Sequence, residues 1–205
     1  MNNALICNQN MITGQVMTSG ITDRKILEAF FNNPRSYFLP KRFGNATYLD
    51  NHLEIGKNIF AMAPDIFATC LKYLSIKPAE NVIEIGASTL HHGNIIAELC
   101  HNVDIIPVKN AFLQSEIPLA HNLTVINGKT NKKYDIAILN GAVKNYKSFL
   151  KYLEKNGKMF VFHINKEITN NTYLTDLKVI YKDDATFTEV KYGTAIMYHF
   201  GECDE

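Results

Sequence analysis

The chain has no long block of like charge, no CxxC pair and no apolar run approaching the roughly 18 residues that span a bilayer. Each absence excludes something. Lys+Arg of 21 against Asp+Glu of 20 leave a net charge of +1, which gives no electrostatic case for nucleic acid or an anionic membrane as a partner. The run Asn131-Lys132-Lys133 reads as a solvated turn. Met1-Asn2-Asn3-Ala4-Leu5-Ile6-Cys7 lacks the basic start and long apolar stretch of a secretion signal. The cysteines, Cys7, Cys70, Cys100 and Cys203, are widely scattered, and reduced thiols in a cytoplasmic protein are their simplest account. There is no internal repeat and no low-complexity linker. What remains is 205 residues, 46% hydrophobic and 20% charged, which is one globular domain able to bury a sizeable core.

The first forty residues read as helical. Thr22 or Asp23 caps a helix through Arg24-Lys25-Ile26-Leu27-Glu28-Ala29-Phe30-Phe31, with Ile26, Leu27, Phe30 and Phe31 on one face. Asn32-Asn33-Pro34 ends it, because the residue before a proline is pushed from helical geometry. Residues 56–58 form a loop. Pro64 then suits a helix first turn, with Ile66, Phe67, Cys70, Leu71 and Leu74 at helical spacing.

From residue 81 strands and helices alternate. Strands are expected at 82–85, 103–108, 123–126, 134–139 and 158–164, and helices at 94–99, weakly at 112–120, and at 146–154. The end of the chain, 174–200, reads as two or three β segments broken at Asp183-Asp184 and Gly193. Strands spaced by helices imply a mainly parallel twisted sheet with helices on both faces and an antiparallel hairpin at one edge. The fold class is therefore α/β, Rossmann-like, in a single domain. Residues 1–78 supply an N-terminal helical region and loop, and 79–205 the doubly wound core. Such sheets bind ligands where strand order reverses, here in the loops after Ile85, Val108, Ile126 and Leu139.

The most informative stretch is Asn81-Val82-Ile83-Glu84-Ile85-Gly86-Ala87-Ser88-Thr89-Leu90-His91-His92-Gly93, read as a buried strand, a tight turn and a helix. Gly86 suits a strand-to-helix turn whatever binds there. Glu84, on an otherwise apolar strand, needs a partner, either a cofactor or a backbone amide or lysine. His91-His92 with Cys100-His101 do not have the spacing of a closed zinc site, so the histidines are read as filling the turn. His163 and the aromatics Phe30, Phe31, Tyr37 and Phe38 are read as structural.

The sequence resembles the protein-L-isoaspartate O-methyltransferases over nearly its whole length. The resemblance rests on Asn10-Met11-Ile12-Thr13-Gly14-Gln15-Val16-Met17-Thr18-Ser19-Gly20-Ile21-Thr22-Asp23, on Pro34-Arg35-Ser36-Tyr37-Phe38-Leu39-Pro40, on Tyr134-Asp135-Ile136-Ala137-Ile138-Leu139, and on 150–161 with Gly157. It looks most similar to a divergent bacterial branch of that family. The resemblance implies a methyltransferase fold, S-adenosylmethionine as cofactor, and methylation of isoaspartyl carboxylates in damaged proteins. It places Glu84, Gly86, Ala87 and Ser88 at the methionine end of the cofactor, Asn127 near the adenine, and Ile59, Phe60 and Met62 in the substrate loop.

The departures fall at the chemistry. The family's Gly-x-Gly-x-Gly turn here keeps Gly86 but has Ser88 and Leu90, and a branched Leu90 is expected across the cofactor's path. The acid that takes the ribose hydroxyls aligns with Pro107, followed by Val108 and Lys109, and Asp104 lies too early on its strand to replace it. The aspartate beside the adenine becomes Asn127. The hydroxyl motif before Pro64 reads Ile59-Phe60-Ala61-Met62-Ala63. Two functions follow: a methyltransferase of weak or lost activity acting on isoaspartyl proteins, or a non-catalytic module with the same fold and an unknown protein partner. Methylation of a different substrate is a third. No catalytic residue and no metal ligand is assigned.

Overall fold

The computed structural model describes residues 3–184 and 186–200, so Cys203 lies outside the described residues. The N-terminal region is helical, as expected. Helix α1 (Asn3–Met11) runs into a π-helical turn, Ile12–Val16, and α2 (Arg24–Asn32) follows. Asp23 caps α2, its carboxylate accepting from the amides of Lys25 and Ile26. Two 3-10 segments, Arg35–Phe38 and Lys41–Tyr48, lead to a hairpin of β1 (Leu53–Gly56) and β2 (Ile59–Ala61). The expected loop at 56–58 is the turn of that hairpin. Helix α3 (Pro64–Leu74) starts on its proline, where a missing N–H costs nothing.

The sheet contains β3 (Asn81–Thr89), β4 (Asn102–Phe112), β5 (Leu123–Val125), β6 (Tyr134–Val143), β7 (Leu153–Thr169), β8 (Thr172–Lys182) and β9 (Phe187–Tyr198), in the spatial order β5-β4-β3-β6-β7-β8-β9. The pairs from β5 to β7 are parallel, and β7-β8-β9 is an antiparallel meander at one edge. Strand order reverses between β3 and β6. Gly193, expected to break the last segment, lies inside β9 and is accommodated by a bulge opposite Leu177 and Lys178.

Alternation along the strands divides the core in two. Val82, Val103, Ile105, Ile136, Ile138, Phe160 and Phe162 face the helices, against Phe30 of α2, Phe67 and Leu71 of α3, and Ile95 and Ile96 of α4 (His91–Ala97). Ile83, Ile85, Ile106, Ala137, Leu139, Met159 and Val161 face the other way. Each fully buried aliphatic side chain contributes about 1.5–3 kcal/mol.

The second face corrects one expectation. It is covered by Tyr146, Phe149, Leu150 and Tyr152, around a 3-10 segment, Lys147–Tyr152, where a helix over 146–154 is expected. The weak helix expected at 112–120 is also absent: β4 continues to Phe112 and irregular chain follows. Aromatic side chains cover that face with bulk that a helix would otherwise supply, so short segments suffice.

The meander curls. Beyond β9, His199 forms a parallel bridge with Ala142 of β6, and the Phe200 amide donates to the Ala142 carbonyl at 2.9 Å. The end of β9 is thereby laid over the carboxyl ends of β3 and β6.

Candidate functional site

The switch point between β3 and β6 is filled with protein. β3 does not turn at Gly86 but continues to Thr89 through irregular register, with Ala87 paired to Pro107. Gly86 holds φ +89°, open to glycine at no steric cost, and a Cβ there would meet Phe200 Cε2 at 2.7 Å. Gly141, on the neighbouring strand, has φ +142°, and a Cβ there would lie 2.8 Å from the Phe200 Cα. Both glycines therefore accommodate the chain's own Phe200, whose ring also meets Phe149 edge-on at 5.6 Å.

Beneath Phe200 lies a buried polar network. Glu84 Oε1 accepts from His92 Nδ1 at 3.0 Å and from Asn140 Nδ2 at 2.8 Å, and Asn140 Oδ1 accepts from the Tyr198 hydroxyl at 3.0 Å. Glu84, His92, Asn140 and Tyr198 are all buried. Burial pushes the Tyr198 hydroxyl far above its ordinary range, with the Glu84 carboxylate acting in the same direction, so it is a hydrogen-bond donor at any working pH. The His92 ring stacks on Phe67 with centroids 3.6 Å apart. Glu84 is thus held by a histidine and an asparagine, not by the amide or lysine expected. Its second oxygen, Oε2, is buried with no hydrogen-bond partner among the described residues.

His91 points the other way. Its Nε2 donates to the Asn33 carbonyl at 3.0 Å, tying α4 to the end of α2. Desolvation first, then the neighbouring His92 and Arg35, hold it well below the ordinary histidine range. His52 makes a comparable link: Nδ1 accepts from the Ala63 amide at 3.0 Å and Nε2 donates to the Ile196 carbonyl at 2.9 Å. Arg35 is fully buried and fans onto carbonyls, with Nη1 donating to Thr47 and Nη2 to Met62 at 2.8 Å and to Ala61 at 3.3 Å. Burial brings its pKa down to about 10, so it stays charged at neutral pH.

The expected site residues separate into those brought together and those not. Glu84, Gly86 and Ser88 converge at the switch point, and Ile59 and Phe60 reach it from β2. Phe60 stacks on Tyr198 at 4.9 Å. Ala87 is buried in the helix-side core, as is Met62, which leaves no Met62 side chain at the cleft. Asn127 is exposed in the loop after β5 and does not line the small cavity against Gly86. Leu90 also corrects the expectation. Its side chain lies in the helix-side core and does not cross the cleft. Asp104 faces away, as its position on the strand predicts, and accepts from the Tyr134 hydroxyl at 2.7 Å and Lys132 at 3.0 Å.

Sequence reasoning missed Asn140, Tyr198 and Phe200. The register of β6 against β3 would have placed Asn140 beside Glu84. No local signal announces that the end of β9 returns to β6.

A family model described as protein-L-isoaspartate(D-aspartate) O-methyltransferase matches residues 6–116. Among curated relatives, a protein-L-isoaspartate O-methyltransferase 2 from Anaeromyxobacter sp. is 31% identical over 91 residues, 44% of this chain and 37% of the relative. One from Herpetosiphon aurantiacus is 31% identical over 119 residues, 58% and 53%. One from Methanopyrus kandleri is 27% identical over 157 residues, 69% and 70%. The alignments span 37%, 43% and 53% of the first three such relatives, about half their length or less. Among solved structures, a protein-L-isoaspartate O-methyltransferase superposes with a TM-score of 0.77 at 15% identity, covering 95% of this chain and 66% of that one. A putative one from Plasmodium falciparum, in complex with S-adenosyl-L-homocysteine, gives 0.72 at 15% identity, covering 98% and 99%. The structural likeness establishes the fold, and the family match, over half of the residues, establishes descent: the chain belongs to the protein-L-isoaspartate(D-aspartate) O-methyltransferase family.

Proposed function

We propose that this chain is a member of that family in which S-adenosylmethionine-dependent methyl transfer to isoaspartyl carboxylates, the protein-repair reaction, is weak or lost. The alternative is that the reaction is gone altogether and the sheet serves as a non-catalytic interaction scaffold; either form suits the cytoplasm, where the thiols of Cys7, Cys70 and Cys100, free of disulfides, are at home. The family relation supports S-adenosylmethionine as the cofactor to test, and the Plasmodium falciparum relative carries its demethylated form.

One observation carries the reading. The cavity against Gly86, Ser88, Asn140 and Tyr198 holds about 10 Å³, while small-molecule sites run to about 300–1,000 Å³. Phe200 and Tyr198 stand where a ligand would approach the Gly86 backbone. This crowding at the Gly86 turn supports weak or lost cofactor binding, and no reaction step is derived through the cofactor.

The enzyme reading retains a specific support in the unpaired Glu84 Oε2. A buried carboxylate oxygen without a donor costs about 1–3 kcal/mol or more, and a ligand donor would relieve it. Under that reading damaged, isoaspartyl proteins are the substrate, and no general base is required, because the carboxylate is itself the nucleophile. Calorimetry separates the two. The scaffold reading expects no heat when S-adenosylmethionine or S-adenosylhomocysteine is titrated to millimolar concentration. Micromolar binding, or cofactor carried through purification, would overturn it.

A further inference from the structure

Beside the filled switch point lies an open cavity of about 330 Å³, within the range of small-molecule sites. It is built from two hairpin turns, the far end of β4 and the end of β9. Lys57 and Asn58 come from the β1–β2 turn, Lys109 and Asn110 from β4, and Asn171 and His199 from the β7–β8 turn and the end of β9. Two lysines line it and no carboxylate does, among the described residues. Among the described residues, the acid nearest along the chain, Glu54, is engaged with the Asn58 amide at 3.1 Å.

Neither the Lys57 nor the Lys109 side chain has an ion-pair or hydrogen-bond partner among the described residues. That sets them apart from Lys132, Lys155, Lys178 and Lys191, each paired with a carboxylate at 3.0 Å or less. The asparagines add neutral donors. Asn171 Nδ2 donates to Asn58 Oδ1 at 2.9 Å, which leaves the Asn58 and Asn110 amide groups without protein acceptors among the described residues. All three asparagines have left-handed backbone, with φ of 58°, 62° and 65°. Asparagine adopts this conformation readily in turns. Phe60 gives the cavity an aromatic wall.

We infer that this cavity binds a small phosphate-bearing ligand. A phosphate monoester carries about −1.5 to −2 charge at neutral pH, which two unpaired ammonium groups neutralise and the asparagine amides complete with hydrogen bonds. A cationic group, such as a sulfonium, is repelled by the same two lysines. The cavity adjoins the switch point, sharing Asn58, Ile59, Phe60, Val108 and His199 with the small space against Gly86, but neither lysine lines that small space.

Titration of the full chain with inorganic phosphate, adenosine 5′-monophosphate and neutral adenosine tests it, followed by calorimetry and by amide shifts at Asn58, Lys109, Asn110 and Asn171. Saturable binding of both phosphates at or below about 5 mM, with none for adenosine, is expected. Binding should weaken at least tenfold in the Lys57→Gln/Lys109→Gln double variant. Both lysines are exposed, so the variant keeps its melting temperature, and a loss of binding cannot be ascribed to unfolding. Absence of phosphate binding would overturn the inference, as would equal affinity in the double variant or binding by adenosine alone. Failure of S-adenosylmethionine to bind bears only on the preceding proposal.

Discussion

The Phe200 ring rests against Gly86 so closely that a Cβ on residue 86 would lie 2.7 Å from its Cε2. The backbone of β3 is approached here as a ligand would approach it, but by the last described residue of the same chain. Phe200→Ala should therefore enlarge the space at Gly86, and S-adenosylhomocysteine should give measurable heat with the variant where it gives none with the parent. The ring is half-buried, so the cost in stability should be about 1–3 kcal/mol, below that of a fully buried Phe→Ala. A variant that still gives no heat would show that Tyr198, Asn140 and Phe60 close the cleft without Phe200.

Leu90 behaves differently. Sequence alone places it across the cofactor's path, whereas the structure places it 2% exposed in the helix-side core. Leu90→Ala should cost about 2–5 kcal/mol, read by chemical denaturation, and leave cofactor affinity unchanged. A gain in affinity would return Leu90 to the cleft.

Tyr198→Phe tests the buried network. The substitution keeps the ring on Phe60 but removes the donor to Asn140 Oδ1, leaving a buried acceptor unpaired at about 1–3 kcal/mol. A stability loss that falls to near zero when Asn140→Leu is made first would confirm that the two residues act through one hydrogen bond.

Acid should loosen the N-terminal region from the sheet. His91 and His52 are both held below their ordinary range, chiefly by desolvation. Above the unfolded value of 6.5 both states are neutral and neither histidine contributes. As pH falls through that value the unfolded chain takes up protons that the folded chain refuses, so stability declines. The decline continues toward the folded-state value, at about 1.4 kcal/mol per pH unit for His91. Melting temperatures measured from pH 8 to pH 5 should begin to drop near pH 6.5, and a flat profile over that window would contradict the burial of His91.

Arg35 anchors the chain on both sides of the β1–β2 hairpin, through the carbonyls of Thr47, Ala61 and Met62. Arg35→Met should cost about 3 kcal/mol or more, since each hydrogen bond to a charged group is worth about 1.5–3 kcal/mol. Limited proteolysis should then cut first between residues 41 and 62. Cleavage elsewhere would show that another contact holds the hairpin.

Local rules carried much of this architecture. The Asp23 cap, Pro64 at a helix start and the strand runs at 82–85, 134–139 and 158–164 are short-range effects, and each appears where residue pattern alone puts it. The motifs at 10–23 and 34–40 likewise pointed to a family that the later comparison established. Substituted positions at Ser88, Leu90 and Pro107 marked the switch point as altered. Their identities could not say what replaced the ligand, because the replacement comes from more than a hundred residues away. Only the curl of the meander brings Tyr198 and Phe200 onto Asn140 and Gly86. Only the meeting of the β1–β2 turn with the far end of β4 puts Lys57 and Lys109 around one cavity. Patterns fix which face of an element is apolar; burial of a carboxylate, a cleft or a pair of charges depends on which distant elements pack together, and that is a property of the whole fold.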